Sequence, residues 1–537
     1  MMGYVVGLEE VEGLTGDKRF GAYACLDATG TREIYDRLRP ILTEKQERIY
    51  RWTMAQLGPA ITMGRRGIKI DLEARDKAIR ELEEKGNRAV KAAAEHPLVK
   101  EVWDGKKIVS GKCEKATRKD GHHKWPTNIP DGPERRCLDC GVGRVVEAPY
   151  EPGSNDQTAH LLYDLLKIQA PGGKSGDRAV DEDSIGAIKR YIDGLVKKHH
   201  GVGELLELIL EVRDCVKQLG TLRTPLSNTG RWHATFKPFG TWTGRFASKR
   251  DPFELGANAQ NIGEQHRHIF VADPGKRMGY IDLKTAESLV CGYLAGDEKY
   301  IEAHKGDVHT RMTRLLWPEE LPWTGDDKKD KVIAKSNYPE WDQADGHDYR
   351  FQAKRIVHGS TYGQSPYGIA RLMHIPVRVA SSAQNAFFSA FPRLREWQKY
   401  IYARVVEGLP IVTPFSREVT LLGRPWDEHT YKQGLALTPQ SSVGDVLNTA
   451  LFRIYSEYDP DLIWLLAQVH DAILSEWDEK EEDKAIEALV ECMRVELPVR
   501  DIYGVMRTCV IGCELAVGWN WGKRTKANPR GLEEISI

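Results

Sequence analysis

The run LLAQVHDAILSEW (Leu465–Trp477) limits what this chain can become more than any other stretch, because it sets His470 and Asp471 inside otherwise apolar sequence. Leu465, Leu466, Val469, Ala472, Ile473 and Leu474 read as strand or core. Burying an unpaired carboxylate among them costs several kcal/mol, which is normally answered by a raised pKa, a charged partner or a metal. Two readings stay open from this stretch alone. His470-Asp471 can turn the corner of a hairpin between two buried strands, since Asp is a favoured turn residue, or Asp471 can be held there as a ligand.

A second stretch, RMGYIDLKTAES (Arg277–Ser288), has the same construction. Met278 to Ile281 form an apolar strand end that delivers Asp282 where a helical pattern begins. The plain interpretation is a helix cap or a favourable dipole contact. The chemical one is that two acids at adjacent strand ends hold a pair of divalent cations, roughly 3.5–4 Å apart, that activate an attacking oxygen and stabilise a leaving one.

DYRFQAKRIVHGSTYGQSPYG (Asp348–Gly368) spaces Arg350, Lys354, His358 and Tyr362 by four residues, which puts them on one helical face. Such i, i+4 charges usually mark a solvated surface. The order cation, cation, ring, ring also suits a nucleoside triphosphate, with charge for phosphates and flat groups for sugar and base. Gly359 and Gly363 would each cost about 1 kcal/mol in an exposed helix, so they point to close approach by something flat.

The chain of 537 residues is too long for one ordinary core and implies several subdomains. Net charge is −1, so any nucleic-acid surface must come from local clustering of Lys and Arg. Cys25, Cys215, Cys291 and Cys492 are scattered singly among nine cysteines, which favours a reducing compartment over a disulfide framework. No apolar run reaches about 18 residues, and MMGYVVGLEEVEG has no signal-peptide pattern. A cytoplasmic protein without a membrane segment is expected. Residues 1–40 read as short, mixed and turn-rich. A helical pattern starts at Leu42, and a long helix begins near Asp71, a plausible N-cap. Another helix carries Leu205, Ile209, Val212, Val216 and Leu219 at helical spacing. Strand-like pieces surround KPFGTWTGRF, helices dominate 284–450, and strands return after Leu462. The pattern is α+β with segregated helical and sheet regions.

Together these segments resemble the family A DNA polymerases, relatives of bacterial DNA polymerase I. DLKTAESLVCGYLAGD (Asp282–Asp297) is similar to that family's motif A, RFQAKRIVHGSTYG (Arg350–Gly363) to motif B and QVHDA (Gln468–Ala472) to motif C. TGRFAS and NAQNI resemble the stretch before motif A, and GDVHT, PFSRE and TPQSSVGD match further landmarks. The motifs keep the family's order over 230–475, with weaker similarity back to about residue 45.

The resemblance implies a right-hand polymerase. A short N-terminal extension (1–40) would precede a thumb-like region (41–225) with a basic Cys/His insert at 101–150. The palm would take up 226–300 and 436–537, with fingers at 301–435. It further implies a template-directed DNA polymerase that adds dNTPs to a primer 3′-hydroxyl with two Mg²⁺ ions. Asp282 and Asp471 would hold the ions, assisted by the Leu283 carbonyl. Arg350, Lys354 and His309 would serve the triphosphate, Tyr362 would stack at the insertion site beside His358, and Glu287 would exclude a ribose 2′-hydroxyl. Arg245, Asn258, Gln260, Arg417, Gln440 and His470 would contact primer–template DNA. Asp471 at a hairpin apex then satisfies both readings of the opening stretch.

Three positions depart from the family pattern. His358 stands where Phe or Tyr is usual, Leu283 replaces the common Tyr after the first aspartate, and Ala472 replaces the acid after the second. Neither of the last two removes a core ligand. Only about 40 residues precede the polymerase-like region, too few for a proofreading nuclease, so none is expected in cis. In the insert, Cys113, His123, Cys137 and Cys140 have spacing for a structural zinc, the alternative being a basic loop with incidental thiols. A monomeric replicase of phage or mobile-element type, working with replication proteins, is the expected setting, in the host cytoplasm if phage-encoded. The competing reading is a catalytically inactive DNA-binding replication factor that kept the fold.

Overall fold

The computed structural model describes residues 16–108, 145–147, 149–168, 178–193, 201–341, 346–373 and 375–537. Cys113, His123, Cys137 and Cys140 lie outside them. Among the described residues, no helix is long and apolar enough to cross a membrane.

Helix α1 (Leu72–Glu95) starts where Asp71 accepts the Ala74 amide at 3.0 Å, and it buries Ala78, Leu82, Ala89 and Ala93 along one stripe. It packs on α2 (Val202–Leu222), whose buried line is Leu205, Ile209, Val212, Cys215 and Leu222. Val216 was expected in that line and is instead 61% exposed. A straight helix drifts off a strict heptad, so Cys215 takes the inward place. Leu161, Leu162, Ile185, Ile188, Leu205, Leu206 and Ile209 belong to a small core of their own, separate from the main one.

Residues 16–38 correct the turn-rich reading of the N-terminal segment: Gly16–Leu38 is one helix. No proline interrupts it before Pro40, and Arg32 pairs with Asp36 one turn on, at 2.8 Å.

The main core surrounds a five-stranded antiparallel sheet. Its strands are β1 (Lys276–Leu283), β2 (Trp464–Val469), β3 (Ala472–Asp478), β4 (Cys513–Gly518) and β5 (Glu533–Ile535), in the spatial order β2-β3-β1-β4-β5. The quoted run is indeed a hairpin. Val469 pairs with Ala472 across a two-residue turn, with His470 in the left-handed region at φ 54°. β3 then pairs with β1 so that Ala472 faces Asp282 and Glu476 faces Met278. Gly279, in the central strand, is where the fully buried Trp477 ring comes closest to β1. A Cβ there would come within 2.2 Å of the indole, so only glycine fits without moving this buried tryptophan.

Five helices in the middle of the chain bear on the site: α3 (Ala286–Ala295), α4 (Val308–Leu316), α5 (Asp327–Ser336), α6 (Tyr349–Thr361) and α7 (Glu428–Glu457). α3 leaves the end of β1 after Thr285 and packs on α7. α4, α5 and α6 pack on one another as a helical layer.

At the far end of the sheet from the aspartates, Glu476 is only 1% exposed. It accepts the Asp273 amide at 3.1 Å and lies 3.8 Å from Arg231. Burial raises its carboxyl to about 7, and the nearby Asp273 charge pushes the same way. Unfolded, it would ionise near the ordinary glutamate value, so the folded state holds this proton longer and loses stability as pH rises from there towards 7. Glu476→Gln removes that loss while keeping an acceptor for Asp273. Denaturant unfolding at pH 5 and pH 8 should show the variant gaining on wild type by roughly 1–3 kcal/mol between the two, whereas a pH-independent difference would refute the assignment.

Candidate active site

Asp282 is the penultimate residue of β1 and Asp471 sits at the hairpin apex. The Leu283 amide donates to the Asp471 carbonyl at 3.2 Å, tying the strand end to the turn. Burial lifts the Asp282 carboxyl to about 6, the Asp471 charge adds to that, and the Leu283 backbone opposes it. Asp471 is also raised by burial, opposed by Arg245 and reinforced by Glu287. The Asp471 charge therefore makes Asp282 costlier to ionise, which a cation beside them would relieve. Among the described residues no group of three or more His, Cys, Asp or Glu side chains forms a cage. Two carboxylates alone suit a hard ion such as Mg²⁺, which keeps waters and takes substrate phosphates, rather than a closed structural site.

Arg245 links the parts. Its guanidinium donates to Glu287, reaches the Gln440 carbonyl at 3.3 Å and stands 3.5 Å from Asp471 Oδ1. Glu287, in the first turn of α3, also accepts from the Tyr362 hydroxyl. The motif A glutamate is thus fixed between a cation beside the aspartates and the ring that ends α6.

Along α6, Asp348 caps the first turn by accepting the Phe351 amide at 2.7 Å. Arg350, Lys354 and His358 follow at one-turn spacing, and Tyr362 is the C-cap residue, its ring 4.8 Å from the His358 imidazole. Lys354 and His358 are exposed. Arg350 contacts Asp307 at 3.0 Å, and Asp307 in turn caps α4 by accepting the Thr310 amide at 3.0 Å. Burial, then the Arg350 and Lys354 charges, push the His309 imidazole down to about 4, so it is neutral at pH 7. His309, Arg350 and Lys354 therefore share one electrostatic neighbourhood.

Two expectations change. Gly359 and Gly363 do not clear space for a ligand: a Cβ on Gly359 would meet the Gln364 side chain at 2.5 Å. Gly363 adopts φ +72° against Leu435 and Tyr431, so it serves the turn that ends α6. Arg417, expected at the DNA, is only 8% exposed. It pairs with Asp445 at 2.7 Å and with Ser441 at 3.1 Å, so its charge is held inside the protein.

The remaining polar residues are placed as follows. Gln260 donates to the Phe246 carbonyl at 3.2 Å and to Gln468 at 3.3 Å, joining the stretch before motif A to the hairpin. Asn258 accepts the Gln260 amide at 3.0 Å. His470 is exposed at the apex and Gln440 half-buried on α7. Asp307 and Asp445 were missed by sequence reasoning. An Asp before a helical pattern signals a cap, but nothing local reveals the arginine it will meet.

With this geometry in hand, comparisons identify the chain's relatives. The model of DNA polymerase family A matches residues 141–523. Thermostable DNA polymerase I of Thermus filiformis is 26% identical over 401 residues, covering 70% of this chain and 43% of that protein. DNA polymerase I of Caldicellulosiruptor bescii is 27% identical over 366 residues, covering 64% and 39%. The chain thus spans about two-fifths of the length of these relatives. Among solved structures, the POL domain of Pol1 from M. smegmatis, in complex with DNA primer-template and dNTP, aligns with a TM-score of 0.62 and 19% identity. That alignment covers 87% of this chain and 70% of the other, and shows the right-hand polymerase fold. The family match spans most of the chain and takes in both aspartates and the α6 cations: this chain belongs to DNA polymerase family A.

Proposed function

We propose that the chain is a template-directed DNA polymerase that joins the 3′-hydroxyl of a primer to the α-phosphate of a dNTP and releases pyrophosphate. The observation that carries this reading is the convergence of Asp282 and Asp471 at one end of the sheet, with Arg245 and Glu287 tying them to Tyr362 and α6. Asp282 and Asp471 would hold two Mg²⁺, assisted by the Leu283 carbonyl. The ions supply activation of the attacking oxygen and charge neutralisation at the phosphate.

The chain's own residues do the rest by positioning. Arg350 and Lys354 draw the triphosphate to α6, with neutral His309 as a hydrogen-bonding neighbour. Glu287 cannot swing away while Arg245 and Tyr362 hold both its oxygens, so it presents a fixed wall where a ribose 2′-hydroxyl would lie. His358 puts an imidazole where the family usually has a larger ring, leaving Tyr362 as the main stacking surface. Asn258, Gln260, Gln440 and His470 line the approach to the aspartates and are assigned to primer and template, with Arg417 as an internal brace behind them. The α6 cations and Glu287 would have no purpose in a non-catalytic DNA-binding factor.

Two measurements check this. Calorimetric titration with Mn²⁺ should show wild type binding the ion and Asp471→Asn binding at least about tenfold more weakly; equal binding would remove Asp471 from the metal site. In primer extension with Mg²⁺, wild type should incorporate dNTPs and Asp282→Ala should not. Glu287→Ala should raise rNTP use relative to dNTP by about tenfold or more. A folded wild type that binds primer–template without extending it would establish the inactive factor instead.

A further inference from the structure

α5 belongs to a segment between α4 and α6 that the motifs do not account for, and it is fastened rather than loose. Arg311 and Arg314 of α4 grip Asp327 at 2.9 and 2.7 Å. Asp330, with no exposed side-chain surface, accepts from Arg314 and from the Thr324 and Gly325 amides at 2.8 and 3.1 Å. The buried side of the helix is thus committed to anchoring. Its outer side carries Lys328, Lys331 and Lys335, spaced to share one face and all exposed.

One of these lysines meets the carboxylate that caps α4 and also pairs with α6. Lys331 Nζ is 3.5 Å from Asp307 Oδ2, while Arg350 Nη2 is 3.0 Å from Oδ1 of the same carboxylate. Asp307 is therefore shared between two cations, and Lys354 adds a third on the adjacent turn of α6. Three positive charges against one negative leave an excess that faces outward, since the Lys331 side chain keeps 47% of its surface exposed. A lone surface pair would be an ordinary solvated contact. A pair whose acid is already engaged by a triphosphate-binding arginine is different, because an arriving polyanion can replace the shared carboxylate at both cations.

We propose that Lys331 is a third triphosphate-binding cation, contributed by the α5 segment alongside Arg350 and Lys354. The inference rests on the polymerase reading and names the polyphosphate end of the dNTP as the group Lys331 meets. Asp307 holds the two cations together in the unloaded site and yields them to the phosphates. Lys328 and Lys335 extend the same positive face and steer the nucleotide inward.

Equilibrium dNTP binding to the full chain on a dideoxy-terminated primer–template tests this without turnover. Lys331→Ala should weaken dNTP binding about three- to tenfold and flatten its salt dependence, while primer–template affinity and melting temperature stay at wild-type values. Lys331→Arg should restore binding, and Lys399→Ala, exposed on the helix Pro392–Val406, should behave as wild type. Inorganic tripolyphosphate should compete less well against Lys331→Ala than against wild type, whereas competition by the matching nucleoside should not change. Unchanged dNTP affinity in Lys331→Ala would overturn the proposal. So would a loss that affects nucleoside and tripolyphosphate equally or comes with a lower melting temperature, because that marks a structural strut. A wild type that binds primer–template but no dNTP would instead overturn the polymerase reading on which the proposal stands.

Discussion

From Lys276 opposite Asp478 to Asp282 opposite Ala472, β1 and β3 run in unbroken antiparallel register. Everything at the site depends on that alignment. A slip of one residue would turn Asp282 to the other face of the sheet and carry Trp477 off Gly279. The indole fits only where the central strand has no side chain, so the same contact that fills the core fixes which residue ends up beside the hairpin apex. Packing of one tryptophan and placement of one aspartate are thus a single structural decision.

The electrostatics follow from that placement. Asp282 is exposed and Asp471 half-buried at the strand ends, the Asp471 charge bears on Asp282, and the chain sets one arginine beside Asp471. Arg245 is divided between Asp471 and Glu287, so it joins the acid at the hairpin apex to the acid that opens α3, and through Tyr362 to α6. Ala472, where the family commonly has another acid, lowers the negative charge at the apex. Glu514 stands opposite Asp282 on β4, and its charge adds to the pressure on that carboxyl. Its own salt bridge to Lys284 at 3.2 Å keeps part of that charge turned aside.

Much of this was legible in the sequence because it is local. An acid inside an apolar run marked the hairpin, a cap residue marked the start of α1, and four-residue spacing marked the face of α6. Misreadings arose where the deciding contact is distant in sequence. Arg417 looked available for DNA until Asp445, on α7, took its charge. Gly363 looked like room for a ligand, but it supplies the left-handed step that ends α6. Residues 16–38 looked like turns because their glycines and mixed polarity hid a helix carried by local pairs such as Arg32 with Asp36. Asp307 was not singled out in the sequence, because the Arg350 and Lys331 it joins are distant along the chain.

The central claim is that the β1–β3 register assembles a divalent-cation site from Asp282 and Asp471. Anomalous diffraction from crystals grown with Mn²⁺, a dideoxy-terminated primer–template and the matching dNTP tests it most directly. The account predicts manganese peaks bridging the two carboxylates at the end of the sheet, roughly 3.5–4 Å apart if both ions are present. Peaks elsewhere, or an ordered ternary complex with no manganese between Asp282 and Asp471, would contradict it.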